Sequence, residues 1–338
     1  MTTSLLVCLA ALSASSARGG VPAAAPEVLA DRPDGTVLRS GRTVAKAHAP
    51  DDGPHGLAAR LRIAAHPLLH GILLPPLPAT AAPDGFLTLT EDGRALSRWP
   101  YGSPVSPDDP DAAPWEDAAR LLARLHRIDP CQLPGPVPPM RGPAKAARAL
   151  ARLRGALAPA GGPPSAPRPG AGSLPAAAAA VERAWALLPA WARDAAPPPR
   201  AGTLCHGDLH LGQLVRHPAT DGPWLLIDID DLGTGDGAWD LARPAAWFAT
   251  GLLAPDLWTR FLAAYRAAGG PAVRPGGDPW PDLEVPARAL TVQTAALAVA
   301  KAATAARPLD EIETAVVDAC ARMTSLPDQL APAGPDIG

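Results

Sequence analysis

The 338-residue chain predicts an α+β protein of two lobes, a small and mainly antiparallel β lobe followed by a larger, mainly helical one. Three observations carry that expectation. Short apolar runs broken by Gly, Pro and Asp fill the chain before Trp99, whereas apolar stripes at helical spacing dominate after Ala113. Between them WPYGSPVSPDDPDAA, Trp99 to Ala113, concentrates proline, glycine and aspartate enough to break either kind of element, and reads as a hinge. The expected division is an N-terminal lobe at 1–98, a hinge at 99–114, a C-terminal lobe at 115–326 and a loose tail at 327–338.

In chain order, Leu5 to Leu12 is an apolar run with no basic segment before it, so a short helix capping the first lobe is favoured over an export leader. Residues 26–48 read as two strands with turns at Pro33-Asp34-Gly35 and Ser40-Gly41, opening an antiparallel sheet. Leu57 to Ala65 has an amphipathic helical pattern, and the runs Leu68 to Leu77 and Phe86 to Thr90 read as more of the sheet. After the hinge, Trp115, Ala118, Leu122, Leu125 and Ile128 form one helical stripe behind Pro114, with His126 as a packed or capping histidine. A second, arginine-rich helix is expected at Pro143 to Leu157. The composition of 158–173 cannot bury enough side chain to fold and reads as a flexible insert. Leu174 to Arg193 is helical until Pro197 to Pro199. Trp239 to Leu253, Asp256 to Ala268, Val285 to Arg307 and Asp310 to Ser325 complete the helical set, with Asp256 and Asp310 as N-caps.

The chemistry concentrates between His206 and Ala242. HGDLHLGQLV and WLLIDIDD form two apolar strands around Asp221-Gly222, a hairpin with acidic groups at its ends. Asp208 is followed five residues later by Gln213, and Asp228 follows the apolar triplet Leu225 to Ile227. Kinase-like phosphotransferases use the layout H-x-D-L-x-x-x-N plus a later apolar-D to place one Asp at a substrate hydroxyl, and an amide and a second Asp at Mg2+. Upstream, Lys46 lies in a strand, VAKA, and is one of only three lysines among 30 basic residues. A compact ammonium there suits nucleotide phosphates; a solvent-facing lysine is the plainer alternative, and the distal Asp208, Gln213 and Asp228 favour the former. Two usual parts are missing. No glutamate occurs between Lys46 and Glu91, Asp51 and Asp52 lie too near the strand to pair with the lysine, and no G-x-G-x-x-G is present, leaving Asp34-Gly35 or Ser40-Gly41 as substitutes.

Composition excludes other classes. The net charge of -3, with no dense basic run, argues against nucleic-acid and anionic-membrane partners, and no apolar run reaches membrane-span length. Cys8, Cys131, Cys205 and Cys320 are far apart, which fits reduced thiols and a cytoplasmic protein, and Cys205 reads as packing.

HGDLHLGQLV, LLIDIDDLGTGDGAWDLA and VAKA together resemble the aminoglycoside phosphotransferase family, within the larger group similar to choline kinases and protein kinases. The resemblance implies a protein-kinase-like fold, ATP (or GTP) and Mg2+ as cofactors, a small-molecule hydroxyl acceptor (aminoglycoside-like, sugar or amino alcohol), and a monomer or weak dimer. It implies that Asp208 receives or orients the acceptor proton, that Lys46 holds the nucleotide phosphates, and that Asp228 and Gln213 hold the metal. Gln213 departs from the usual asparagine, in a form that maltokinase-like members also resemble. His206 is expected to hold the loop backbone, and Asp240 to be buried and paired with the backbone of His206 to Asp208. Asp236 is expected to cap the helix, Asp230 to stand as a supporting group with a second-metal contact open, and Asp231 to face solvent. Two alternatives have a different chemistry: a kinase-like nucleotide-binding module with little turnover, and a metal-dependent hydrolase built on His206, Asp208, His210, Asp228, Asp230 and Asp231.

Overall fold

Alternation of small and branched side chains in GTVLRS and TVAKAH buries Thr36, Leu38 and Ser40 on one strand and Thr43, Ala45 and Ala47 on the next, the period of a pleated sheet. The computed structural model describes residues 26–32, 35–49, 54–79, 85–90, 93–109, 112–158 and 174–324. The expectations for Leu5 to Leu12, Pro33-Asp34, Asp51 and Asp52, for 159–173 of the insert and for the tail at 327–338 lie outside the described residues.

The strands are β1 (Glu27–Arg32), β2 (Gly35–Ser40), β3 (Thr43–His48), β4 (Leu87–Leu89), β5 (Ala95–Pro100), β6 (Ser103–Pro104), β7 (Thr203–Cys205), β8 (Leu214–Arg216), β9 (Trp224–Leu226) and β10 (Gly233–Gly235). The helices are α1 (Pro54–Ala64), α2 (Trp115–His126), α3 (Gly142–Leu157), α4 (Leu174–Ala186), α5 (Ala238–Ala249), α6 (Pro255–Ala267), α7 (Trp280–Thr304) and α8 (Glu311–Met323). The chain divides into two compact units: 1–141 with 200–240 and 259–277, and 142–199 with 241–258 and 278–338.

The first unit holds every described strand. Its main sheet is antiparallel with order β1-β2-β3-β5-β4. Residues 26–48 form three strands rather than the two expected, because β1 and β2 close a hairpin in which Arg32 pairs with Gly35. Leu68 to Leu77 is not a strand. Pro67 starts a 3-10 turn to Leu69, and Pro75, Pro76 and Pro78 lack the N–H groups a ladder needs, so the segment pairs with the sheets through isolated bridges from Leu73 to Leu226 and Leu77 to Arg98 and not through a ladder. The segment read as a hinge opens with strand residues, since β5 runs to Pro100 and β6 pairs with β8. α2 buries Trp115, Ala118, Leu122 and Leu125 on the expected stripe, and Trp115 meets Phe261 edge to face with centroids 6.1 Å apart.

In the second unit, α3, α4, α7 and α8 pack on one another through small apolar faces. Asp310 caps α8 as expected, in a reciprocal box: its carboxylate accepts the Glu313 N–H at 2.8 Å while Glu313 accepts the Asp310 N–H at 3.0 Å. Asp256 instead lies inside the first turn of α6, because Pro255, free of any N–H to satisfy, takes the first helical position. Arg307 grips Glu313 with two bonds of 2.6 Å, and this holds the Glu313 carboxyl down from 4.5 to about 2, burial opposing the effect. A depressed carboxylate contributes stability above its ordinary pKa and loses it as pH falls through the folded value. The expected result is that Glu313→Gln lowers the urea midpoint at pH 6 and that its gap to wild type closes between pH 4.5 and about 2. An equal gap at both ends of that range would show the pair to be without effect.

Candidate active site

The expected hairpin is present, β8 pairing antiparallel with β9 around Asp221-Gly222, and Leu74, Val215 and Leu225 seat it in a small apolar cluster with Ile227. Strand geometry ends at Leu226. At Asp228 the backbone takes φ 66°, a left-handed conformation uncommon for a non-glycine residue, and the chain turns. That turn directs a carboxylate to two groups named from the sequence. Asp228 accepts Lys46 Nζ at 2.8 Å and Gln213 Nε2 at 3.3 Å, and the Gln213 backbone carbonyl receives the Ile227 N–H at 2.9 Å. Lys46 and Asp228 are 182 residues apart in the sequence.

Lys46 has a second partner. Asp230 accepts it at 2.9 Å, so the ammonium bridges two carboxylates with its side chain only 14% exposed. Burial would lower the Lys46 pKa, but Asp228 and Asp230 outweigh it and raise it above the ordinary value. Burial would likewise raise Asp230, and Lys46 and His48 reverse that. The acid that sequence reasoning does not find for the lysine thus comes from the acidic turn, not from a helix. α1 contains no acidic residue and offers a cation instead: buried Arg60 donates Nε to the Leu232 carbonyl at 2.8 Å and Nη2 to that of Pro139 at 3.1 Å. Sequence reasoning misses Arg60, because in a chain so rich in arginine nothing marks it.

It misses His48 as well. This residue is fully buried, with Nδ1 at 2.8 Å from Asp230 Oδ1 and Nε2 at 2.6 Å from Ser97 Oγ. A usable signal exists: two residues beyond Lys46 on a strand is the same sheet face.

The loop after β7 is positioned from three sides. β7 pairs with β10. Asp240, at the start of α5, accepts the His206 N–H at 2.6 Å and the Gly207 N–H at 2.7 Å, the buried backbone pairing expected for it. His206 Nε2 donates to the Ile227 carbonyl at 2.8 Å and fastens the loop to the exit of β9. Gly207 must be glycine: φ is +89°, and a Cβ would lie 2.5 Å from the Asp231 carbonyl oxygen. Asp208 follows directly and is half-buried. Behind Asp240, His126 Nε2 donates at 3.0 Å, and His126 Nδ1 meets the Tyr265 hydroxyl at 2.7 Å, which itself accepts the Ala272 N–H at 3.0 Å. His126 is therefore packed, not a cap.

Asp231 does not face solvent. It is 5% exposed, with Arg141 Nε 4.0 Å from its carboxylate, because the turn from Ile229 to Leu232 has replaced strand alternation and carries it inward. Asp236 caps α5 through the Ala238 N–H at 3.0 Å and pairs with Arg200 at 3.1 Å. Cys205 is buried and its thiol is pushed well above its ordinary pKa by burial and then by Asp240 and Asp236, the state of a packing residue and not a nucleophile. His210 is used in a turn, accepting the Gly212 N–H at 3.0 Å. Among the described residues, the six groups of the hydrolase reading do not gather as metal ligands; the one such grouping is His126, Cys205 and Asp240, whose atoms are already hydrogen-bonded.

The sequence profile of the phosphotransferase enzyme family matches residues 28–280, well over half of the chain. The chain belongs to that family. Solved structures agree with it at the level of fold. Aminoglycoside phosphotransferase APH(4)-Ia, in a ternary complex with AMP-PNP and hygromycin B, is 14% identical to this phosphotransferase with a TM-score of 0.57, covering 96% of this chain and 99% of that one. Spectinomycin phosphotransferase APH(9)-Ia, bound to ADP and spectinomycin, is 11% identical, TM-score 0.54, over 91% of each chain. A choline/ethanolamine kinase family protein from Mesorhizobium loti is 17% identical, TM-score 0.50, over 96% of this chain and 95% of that one. No curated protein sequence matches the phosphotransferase significantly. The likeness gives it the kinase-like, two-lobed α+β fold expected from the sequence. No helix among its described residues is long and apolar enough to cross a membrane.

Proposed function

We propose that this phosphotransferase moves the γ-phosphate of ATP, bound with Mg2+, to a hydroxyl group of a small molecule. The observation that carries the reading is the convergence of Lys46 on Asp228 beside Gln213, three groups that a nucleotide's phosphates and their counter-ion require together. The donor set fits magnesium: Asp228 offers carboxylate oxygens and Gln213 can offer an amide oxygen, both hard ligands. When bound, Mg2+ neutralises charge on the phosphate oxygens. Lys46 holds the α- and β-phosphates, exchanging its bond to Asp228 for them. Asp208, on the loop fixed by Asp240 and His206, aligns the acceptor hydroxyl and takes its proton as the new oxygen–phosphorus bond forms and the bond to the leaving diphosphate breaks. In this scheme residues 1–98 form the nucleotide lobe, 99–114 the hinge and 115–326 the catalytic and acceptor lobe.

Nucleotide use is supported by the AMP-PNP and ADP complexes of the relatives, and the GDP complex of aminoglycoside 2'-phosphotransferase-IIIa keeps GTP as the alternative donor. Hygromycin B and spectinomycin in those complexes support trying aminoglycoside-like molecules as acceptors, alongside sugars and amino alcohols. We place the enzyme in the cytoplasm as a monomer or weak dimer. The test is thermal melting with ATP or GTP, with and without Mg2+, followed by a panel of hydroxyl acceptors read by nucleoside diphosphate release. A magnesium-dependent rise in melting temperature and acceptor-dependent release are expected. Absence of any nucleotide-induced shift would sink the proposal.

A further inference from the structure

We infer that His48 is a positioning residue, which acts through Asp230 to fix Lys46 in the place where kinase-like enzymes otherwise use a helix carboxylate. The inference rests on the phosphotransferase reading above and extends it to residues outside the expected site.

Sheet register brings the parts together. Lys46 lies opposite Ser97 and Val44 opposite Trp99 in the β3–β5 pair, and His48 is two residues on from Lys46, so Lys46, His48, Ser97 and Trp99 share one face of the sheet. Their hydrogen bonds have a direction. Trp99 Nε1 can only donate, and it donates to Ser97 Oγ at 2.8 Å; the serine hydrogen is then directed at His48 Nε2, 2.6 Å away. His48 Nδ1 donates to Asp230 Oδ1 at 2.8 Å, since a carboxylate only accepts, and Lys46 Nζ donates to the other oxygen, Oδ2, at 2.9 Å. Every member therefore directs a hydrogen toward Asp230, and both of its oxygens are held. Arg94 Nε, on the His48 carbonyl at 3.1 Å, fixes the strand end.

The two carboxylates on Lys46 differ in exposure. Asp228 is 35% exposed and Asp230 only 15%. Asp228, the more exposed of the two, is the one that would serve a metal, while Asp230, bolted to His48, keeps the ammonium aimed as its other partner is exchanged for phosphate. α1 cannot supply a glutamate for the task, because it presents Arg60 to the segment at Leu232 and has no acid at all. The charge arrangement is inverted, with the cation on the helix and the acid on the turn.

The experiment compares Asp230→Asn, His48→Ala, His48→Asn and Lys46→Ala with wild type, measuring melting temperature and the dissociation constant of ATP, or of GTP where wild type prefers it, in Mg2+ and in EDTA. Asp230→Asn and His48→Ala should each weaken nucleotide binding by about tenfold, in EDTA as well as in Mg2+, because both substitutions release the lysine and leave the metal ligands in place. His48→Asn retains a donor near the Nδ1 position and should recover most of the affinity. Combined with Lys46→Ala, Asp230→Asn should add little, since the two act as one unit. If His48→Ala does not fold, His48→Asn and Asp230→Asn still decide. Folded variants with wild-type affinity, an Asp230→Asn defect that vanishes in EDTA, or a His48→Asn no better than His48→Ala would each overturn the inference. Loss of binding in Lys46→Ala alone would overturn it while leaving the phosphotransferase reading intact, whereas a wild type that binds no nucleotide would remove that reading itself.

Discussion

Asp208→Asn is expected to slow phosphate transfer by about a thousandfold while leaving the nucleotide dissociation constant within a few-fold of wild type. The separation follows from where the residue sits. Lys46, Asp228, Gln213 and Asp230 are joined by hydrogen bonds and ion pairs of their own, so the nucleotide contacts should survive the change. The asparagine keeps the shape of the side chain and can still accept a hydrogen bond, but it cannot take the acceptor's proton near neutral pH. Because Gly207 and His206 are held by Asp240 and by the Ile227 carbonyl, the substitution should not shift the loop, and melting should stay close to wild type. The measurement is single-turnover transfer to an acceptor found in the panel, beside calorimetry of nucleotide binding. Near-normal turnover would remove Asp208 from the chemistry, and a matching loss of nucleotide affinity would make it a binding group instead.

Much of the site is legible in the sequence because its parts are local patterns. The hairpin around Asp221-Gly222, the capping box of Asp310 and Glu313, and the seat of Asp240 beneath the His206 loop follow from spacing over a few residues or from a single long motif. What escapes is decided by long-range partners or by backbone that has left strand geometry. His48 depends on Asp230 and Ser97, and only its period of two with Lys46 hints at it. Asp231 points outward only if strand alternation is extended past Leu226, and Asp228 has already broken the strand with its positive φ. Leu68 to Leu77 has the apolar content of a strand, but its prolines remove the donors that a ladder needs. The second partner of Lys46, which the sequence leaves unnamed, lies on a turn 184 residues along the chain, where no local rule can point.

The largest structural effect is expected from Asp240→Ala. Its side chain has no solvent exposure and its two oxygens receive three donors: the His206 N–H, the Gly207 N–H and His126 Nε2. Truncation leaves all three buried without an acceptor, and loss of one partner of a buried charged network costs about 3–5 kcal/mol. Since a whole domain is stable by only about 5–15 kcal/mol, the variant should melt far below wild type and give little soluble protein. His126→Phe provides the control. It removes one donor and leaves Asp240 on the two backbone groups, so it should cost less and should keep the loop in place, although it also deprives the Tyr265 hydroxyl of one of its two partners. Urea unfolding of the four proteins separates the cases: the order wild type, His126→Phe, Asp240→Ala is expected, with Asp240→Asn between the last two because its one carbonyl oxygen still serves one N–H while its amide hydrogens face the other. An unfolding free energy for Asp240→Ala within about 1 kcal/mol of wild type would mean that the loop is held by His206 and the β7–β10 pair alone, since a change of that size is ordinary for a substitution that breaks no buried network. The same measurement bears on function, because the loop that Asp240 holds is the one that presents Asp208.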